Sequence, residues 1–225
     1  DGVTGDPDGP LGGIDLLDKA KIESGLEPEA LKLVSEFDVY GVVESTNALA
    51  MARALGGAAS AYVCTAEQQT AGRGRRGRHW VSPYAGGIWL SVAWEFAGGA
   101  ASLEGLSLAT GVVLVEALNE LGLKGVMLKW PNDILCEGRK LAGILLEMTG
   151  DAEGPCQVVV GIGLNVKIPQ KHAEEIDQQW VDLSALAGVK ISRNRLLSAI
   201  LNKLLTMHIR SDFLLQKLIG MILFV

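Results

Sequence analysis

Cysteine is scarce: Cys64, Cys136 and Cys156 are the three in 225 residues, far apart and in no CxxC or closely spaced Cys/His pair. That excludes a structural zinc site, which needs such pairs. It also favours reduced thiols and a cytoplasmic setting. A surplus of positive charge is missing as well. Twenty-six acidic and 20 basic residues leave a net charge of −6, so global charge gives no reason to expect a nucleic-acid binder. There is no long apolar run. The stretch Leu218–Val225 falls far below the roughly 20 residues of a spanning helix. The first thirteen residues, DGVTGDPDGPLGG, carry neither the basic nor the apolar part of a signal peptide. No repeat or low-complexity tract occurs. The 28 glycines follow no G-X-Y period and mark turns and close backbone approaches instead. With 48% hydrophobic and 20% charged residues, wholesale disorder is excluded too. The chain opens on Asp1 and reads as a piece of a longer protein.

Periodicity supplies the elements. Ile14–Val34 reads as two short helices broken at Gly25 and Pro28. Val39–Val43 reads as a strand, and Ser45 and Thr46 cap a helix running to about Leu55. Ala61–Ala66 and Gly87–Phe96 read as strands flanking a polar loop over Glu67–Tyr84. The strongest helix is Leu103–Leu121, with Leu106, Ala109, Val113, Leu114, Ala117, Leu118 and Leu121 on one stripe. Val126–Trp130, Asp133–Cys136, Leu141–Met148 and Gln157–Gly163 read as four more strands, with a hairpin turn at Glu137-Gly138. Short helices follow over 170–187, then one from Arg193 to about His208. Strands joined by short turns argue for α+β, with a mainly antiparallel or mixed central sheet flanked by helices.

Four signals carry chemistry. Gly72-Arg73-Gly74-Arg75-Arg76-Gly77-Arg78 satisfies G-x-G-x-x-G in form, but His79-Trp80-Val81-Ser82-Pro83 does not open a helix, so a dinucleotide fingerprint is rejected. What remains is four arginines in six residues, spaced by glycines, in an acidic protein. Arginine forks suit phosphate oxygens. Such a loop fits a phosphate met during reaction, without order when empty and folded over when full. A solvated basic loop or an RNA-contacting patch explains the charge equally well. Lys129-Trp130-Pro131-Asn132-Asp133 offers oxygens for a metal, base or ribose, although Pro-Asn-Asp is turn chemistry in itself. Arg139-Lys140 precedes an apolar strand interrupted by Gly143, and Gly161-Ile162-Gly163-Leu164-Asn165 is a second glycine-interrupted strand. Strand glycines mark either a bulge or space cleared for a flat ligand. His79, His172 and His208 have no motif role, and Cys64 reads as core.

Taken together and in this order, the motifs resemble those of the bacterial biotin protein ligases, the type that also acts as biotin operon repressor. The resemblance runs from about Val39 to Val166 and rests on EST-N at 44–47, EQQTAGRGRRGRHWVSP at 67–83, KWPNDI at 129–134, RKLAGIL at 139–145 and GIGLNV at 161–166. It implies a class II aminoacyl-tRNA synthetase-like biotin/lipoyl ligase catalytic domain. The implied reaction makes biotinyl-5′-AMP from biotin and MgATP, then moves biotin to a lysine of a biotin carboxyl carrier protein. By the same resemblance, Ser45, Thr46, Asn47 and Gln69 bind biotin. Arg73 and Arg75 hold the biotin carboxylate and the adenylate phosphate, with Arg78 assisting on the polyphosphate. Trp80 packs over the adenine side, Lys140 contacts the carboxyl–phosphate junction, and Arg75, Lys140 and Arg73 form the catalytic set. Asn132, Asp133 and Asn165 serve ATP and Mg²⁺, with Lys129 as an electrostatic helper. Trp89, Leu90, Gly143, Ile144 and Gly163 form the biotin pocket walls, and no structural metal is implied.

The resemblance further implies a domain layout. Residues 1–36 correspond to a tail and linker after a winged helix-turn-helix that this chain does not carry, 37–210 to the catalytic domain, and 211–225 to an apolar tail where the family has an SH3-like barrel. No DNA binding by this chain and no membrane association are expected, and a homodimer is a possible assembly. Two alternatives stay open. A lipoate or octanoate ligase or transferase of the same fold would need a long, apolar pocket. A nucleic-acid binder using the arginine loop would show salt-sensitive binding to any polyanion.

Overall fold

Runs of β-branched and apolar residues form the strands of this chain, and in the computed structural model they build one seven-stranded mixed sheet. The structure describes residues 15–56, 61–96, 105–150, 156–186 and 192–207. The strands are β1 (Val34–Val43), β2 (Ala61–Gln69), β3 (Gly87–Phe96), β4 (Val126–Lys129), β5 (Asp133–Cys136), β6 (Arg139–Gly150) and β7 (Cys156–Asn165). Their order is β1-β2-β3-β7-β6-β5-β4. Only β1 and β2 run parallel; the other neighbours are antiparallel. The helices are α1 (Lys19–Ser24), α2 (Pro28–Leu33), α3 (Thr46–Leu55), α4 (Leu106–Glu120), α5 (Gln170–Ala173), α6 (Leu183–Leu186) and α7 (Arg193–Met207). The α+β expectation holds.

Strand alternation sorts the side chains onto two faces. Val63, Val92, Val160 and Ile144 lie on the face covered by α4 and α7, where the large core forms. Tyr62, Cys64, Ala93 and Val159 lie on the other, under α3. That second face is only partly covered, because Gly161 and Gly163 of β7 and Gly143 of β6 leave it bare. Gly143 pairs with Gly163 across the two strands. A glycine-paved strip beside the N-terminus of α3 is where a ligand can reach the sheet.

Several boundaries move. The two short helices expected over Ile14–Val34 are present as α1 and α2; they lie within the stretch assigned to tail and linker, and they join the large core, with Ile22 and Ala30 fully buried. Asn194 of α7 accepts the Asp18 N–H at 2.7 Å, and Asn202 accepts that of Glu27 at 2.8 Å. β1 begins at Val34 rather than Val39, and β2 runs on to Gln69. Both extensions follow from parallel pairing, which carries the register from Val34/Ala61 to Val43/Gln69. Expectations for 1–13, for His208 and for the apolar tail at 211–225 lie outside the described residues.

Candidate active site

The site grows from the start of α3. Ser45 caps that helix, accepting the Ala48 N–H at 3.3 Å. The cap sets Thr46 and Asn47 against the bare strip, where both are buried. Thr46 donates its N–H and its hydroxyl to Gln69 Oε1, at 2.9 and 3.0 Å. The Gln69 amide nitrogen donates to Ser82 Oγ at 2.9 Å. Ser91 Oγ, fully buried on β3, stands 2.8 Å from Thr46 Oγ1 and 2.5 Å from Asn47 Oδ1. Asn47 donates in turn to Glu147 of β6 at 2.8 Å. Behind them, the Cys64 thiol donates to the Thr46 carbonyl at 3.4 Å. Burial pushes that thiol up to about 12, so it packs rather than reacts.

The arginine segment crosses this face as a small hairpin. Trp80 N–H bonds to the Gly72 carbonyl at 2.9 Å and Gly74 N–H to that of Arg78 at 2.7 Å. Its tip places Arg76 at φ 57° and Gly77 at φ 73°. Two side chains tie this hairpin to the sheet. Arg73 meets Glu147 at 3.1 Å, and Arg75 donates to Asn132 Oδ1 at 3.1 Å. Asn132 is itself held by β6, donating to the Ile144 carbonyl at 2.9 Å.

Trp80 closes the arrangement. Its indole lies flat over the glycine pair: a methyl on Gly163 would come within 2.5 Å of the ring, and one on Gly143 within 2.8 Å. The glycines do clear room for a flat group, and the chain supplies one itself. Lys140 sits over the same indole, its ammonium 5.1 Å from the ring centre and 3.0 Å from Asp133 Oδ1. The indole N–H is buried without a hydrogen-bond partner.

An open cleft of about 470 Å³ results, lined by Ser45, Thr46 and Asn47, by Gln69, Arg73 and Arg75, by Trp80, Asn132 and Lys140, and by Gly143 and Gly163. A second cleft, about 360 Å³, shares Trp80 and Lys140 and adds Asn165, Asp177 and Trp180. Its far wall is tied back by Lys140, whose N–H bonds to the Gln179 carbonyl at 3.0 Å and whose carbonyl accepts the Val181 N–H at 2.9 Å.

Residues 39–165 match the model of the biotin/lipoate A/B protein ligase family. The chain belongs to this family. It is 40% identical over 191 residues to the bifunctional ligase/repressor BirA of Salmonella typhimurium, covering 85% of this chain and 57% of that protein. It is 39% identical over 174 residues to the biotin–[acetyl-CoA-carboxylase] ligase of Mycobacterium tuberculosis, covering 75% and 62%. The chain thus spans less than two thirds of these relatives. Among solved structures, Leishmania major biotin protein ligase in complex with biotinyl-5-AMP matches with TM-score 0.66 at 26% identity, over 81% of this chain and 79% of that one. The Aquifex aeolicus enzyme in complex with biotin and ATP matches with TM-score 0.61 at 30% identity, over 77% and 70%.

Of the residues singled out in the sequence of this ligase-family chain, Ser45, Thr46, Asn47, Gln69, Arg73, Arg75, Trp80, Asn132, Lys140 and Gly143 line one cleft. Asn165 lines the second, donating to the Val181 carbonyl at 3.2 Å, and Asp133 reaches the first through Lys140. Arg78 and Lys129 are exposed and line neither cleft. Trp89, expected as pocket wall, is fully buried with its indole N–H on the Glu67 carbonyl at 3.2 Å, and it lines neither. Leu90 and Ile144 border the cleft, yet both belong to the large opposite core, so alternation leaves them their backbone to offer. Sequence reasoning missed Ser91, Ser82 and Glu147. Ser91 and Glu147 had a signal: each is a polar residue inside an apolar strand run.

Proposed function

We propose that this chain carries the catalytic centre of a biotin protein ligase, which activates biotin with ATP and passes it to a lysine of a biotin carboxyl carrier protein. One observation carries the reading. A single cleft brings neutral hydroxyls and amides (Ser45, Thr46, Asn47) together with three cations (Arg73, Arg75, Lys140). Biotin carries the matching pair of groups, a neutral ureido ring and a carboxylate. Lipoate or octanoate would offer nothing to the amides and hydroxyls, and burying those groups against hydrocarbon is unfavourable.

The first step joins a biotin carboxylate oxygen to the α-phosphorus of ATP as the bond to pyrophosphate breaks. Negative charge on the reactants repels, so positioning and neutralisation dominate. Arg73 and Arg75 supply two-pronged donors for carboxylate and phosphate, and Lys140 stands between the two clefts to bridge them. Trp80 borders the second cleft, where we place the adenine. In the second step the neutral lysine amine attacks the acyl carbon, AMP leaves with the bonding electrons, and the proton released from the amine passes to water. Asp133, with Asn132 beside it, fits Mg²⁺ as a minor protein ligand, since that ion is held mostly by substrate phosphates and water. Bound there, it would neutralise charge on the departing pyrophosphate. We further propose that the protein acts in the cytoplasm, does not itself read DNA through the described residues, and can pair as a homodimer.

Pyrophosphate exchange into ATP, run with biotin, lipoate, octanoate or no acid, tests the assignment. Exchange with biotin alone is the expected result. Exchange driven by lipoate or octanoate would overturn it, as would an absence of biotin binding by calorimetry.

A further inference from the structure

The polar groups under the cleft form one continuous circuit. It starts at the stem of the arginine hairpin, where Ser82 meets Gln69, and runs through Thr46, Ser91 and Asn47 to Glu147. From Glu147 it returns to the hairpin at Arg73. One carboxylate oxygen, Oε2, receives both Asn47 Nδ2 at 2.8 Å and Arg73 Nη2 at 3.1 Å. Glu147 belongs to neither the sequence motifs nor the cleft lining.

We infer that Glu147 is a positioning residue: its carboxylate, fixed from one side by Asn47, docks Arg73 and with it the arginine hairpin onto the sheet. The physics requires such an anchor. Arg73, Arg75, Arg76 and Arg78 crowd one short hairpin, and like charges at that spacing push it toward solvent. Arg75 is held by a neutral amide, whereas Arg73 is held by a charge. A carboxylate free to rotate would lose side-chain entropy on pairing. Here the Asn47 amide, clamped by Ser91 and the Leu145 carbonyl, has already fixed it. Glu147 pairs across the sheet with Val159, at the α3 end of the bare strip, so the anchor is on the sheet rather than in the loop. A ligand that bonds to Thr46 or Asn47 thereby also acts on Arg73, through Glu147.

The docking itself does not depend on the ligase reading, but its effect on biotin does, and two readouts separate them. The first is limited trypsin digestion of the protein without ligand, with fragments identified by mass and exposed Lys171 as internal reference. Glu147→Ala should speed cleavage after the loop arginines about two- to fivefold, the scale of a partly exposed ion pair. Glu147→Gln, which keeps an acceptor for Asn47 but not the charge, should fall between. Wild type in 1 M salt should approach the Gln variant, because salt screens the pair. Should Glu147→Ala unfold, the Gln variant and the salt series still decide. Wild-type cleavage rates in a folded Gln variant, with no salt effect on wild type, would overturn the inference. The second readout is kinetic: Glu147→Gln should raise KM for biotin severalfold with kcat little changed, and a fall in kcat alone would overturn it. Faster cleavage in variants of a protein that never binds biotin would leave the anchor standing and remove the ligase reading.

Discussion

Gly161→Ala is the sharpest test of how the cleft is built. A methyl at this position would lie within 2.8 Å of Asn47 Cγ and 2.9 Å of its Nδ2. Ordinary contact begins near 3.4 Å, so the amide must retreat by 3.4 − 2.8, or 0.6 Å, at its carbon alone. It has nowhere to go. Ser91 holds its oxygen at 2.5 Å, and Glu147 holds its nitrogen at 2.8 Å. Overpacking costs about 1–3 kcal/mol, and loss of one bond to a charged partner adds about 1.5 kcal/mol or more. A combined effect of about 2.5–4.5 kcal/mol, falling on the groups that meet biotin, corresponds to binding weakened about 70- to 2,000-fold. Calorimetry on the variant measures it, with thermal unfolding recorded in parallel. The mechanism is checked by combining the change with Asn47→Ala, which removes the group being struck. The double variant should bind no worse than Asn47→Ala alone, because contacting residues are non-additive. Independent, additive losses, or wild-type affinity in Gly161→Ala, would refute the steric reasoning.

Gly163→Ala should lift Trp80 off the strip, seen as a shift in tryptophan emission and a KM for ATP raised about tenfold by roughly 1–2 kcal/mol of overpacking. Lys140→Gln should lower pyrophosphate exchange about 100-fold, the scale for removing one donor aimed at developing charge, while leaving the unfolding temperature within a few degrees. Arg193→Met would strand Glu67, whose Oε2 pairs with the buried guanidinium at 2.8 Å. Breaking a buried pair costs about 3–5 kcal/mol, so calorimetric unfolding should fall by about 6–20 °C. Alkaline stability should also decline. Burial first, then the Asp38 carboxylate, raise the Cys64 thiol from 9.0 to about 12, and burial raises the Tyr62 phenol in the same direction. For a group whose folded pKa is raised, stability is complete below the unfolded value and is lost as pH climbs. Denaturant midpoints should therefore drop between pH 9 and 12, and a thiol reagent at pH 8 should leave Cys64 unmodified until the protein unfolds.

Legibility followed how local the cause was. β3 was readable to the residue, Gly87–Phe96, because its run is apolar and bounded by turn residues. The Ser45 cap was readable because capping is decided within three residues. Lys140 and Gly143 could be singled out because a charge before an apolar strand and a glycine within it are conspicuous in one dimension. Pocket walls were less legible. Whether Trp89 or its neighbours face a cleft depends on which side of the sheet the cleft occupies, and parity in one strand cannot say that. The two helices of α1–α2 were readable from their apolar spacing, but their docking was not, because their backbone is matched by Asn194 and Asn202 some 175 residues away.

Glu147 shows the same limit more clearly. Within LAGILLEM it is a polar break in an apolar strand, and sequence alone permits it to face solvent. Its meaning arises only when β6 pairs with β7 and sets its carboxylate beside Asn47 from α3 and Arg73 from the hairpin. Motifs name the residues that touch a ligand because those must share one short loop or strand end. The groups that aim them come from other strands, and their spacing along the chain is set by the fold rather than by the chemistry. The arginine hairpin is legible as a motif, whereas the carboxylate that meets its Arg73 lies 74 positions downstream.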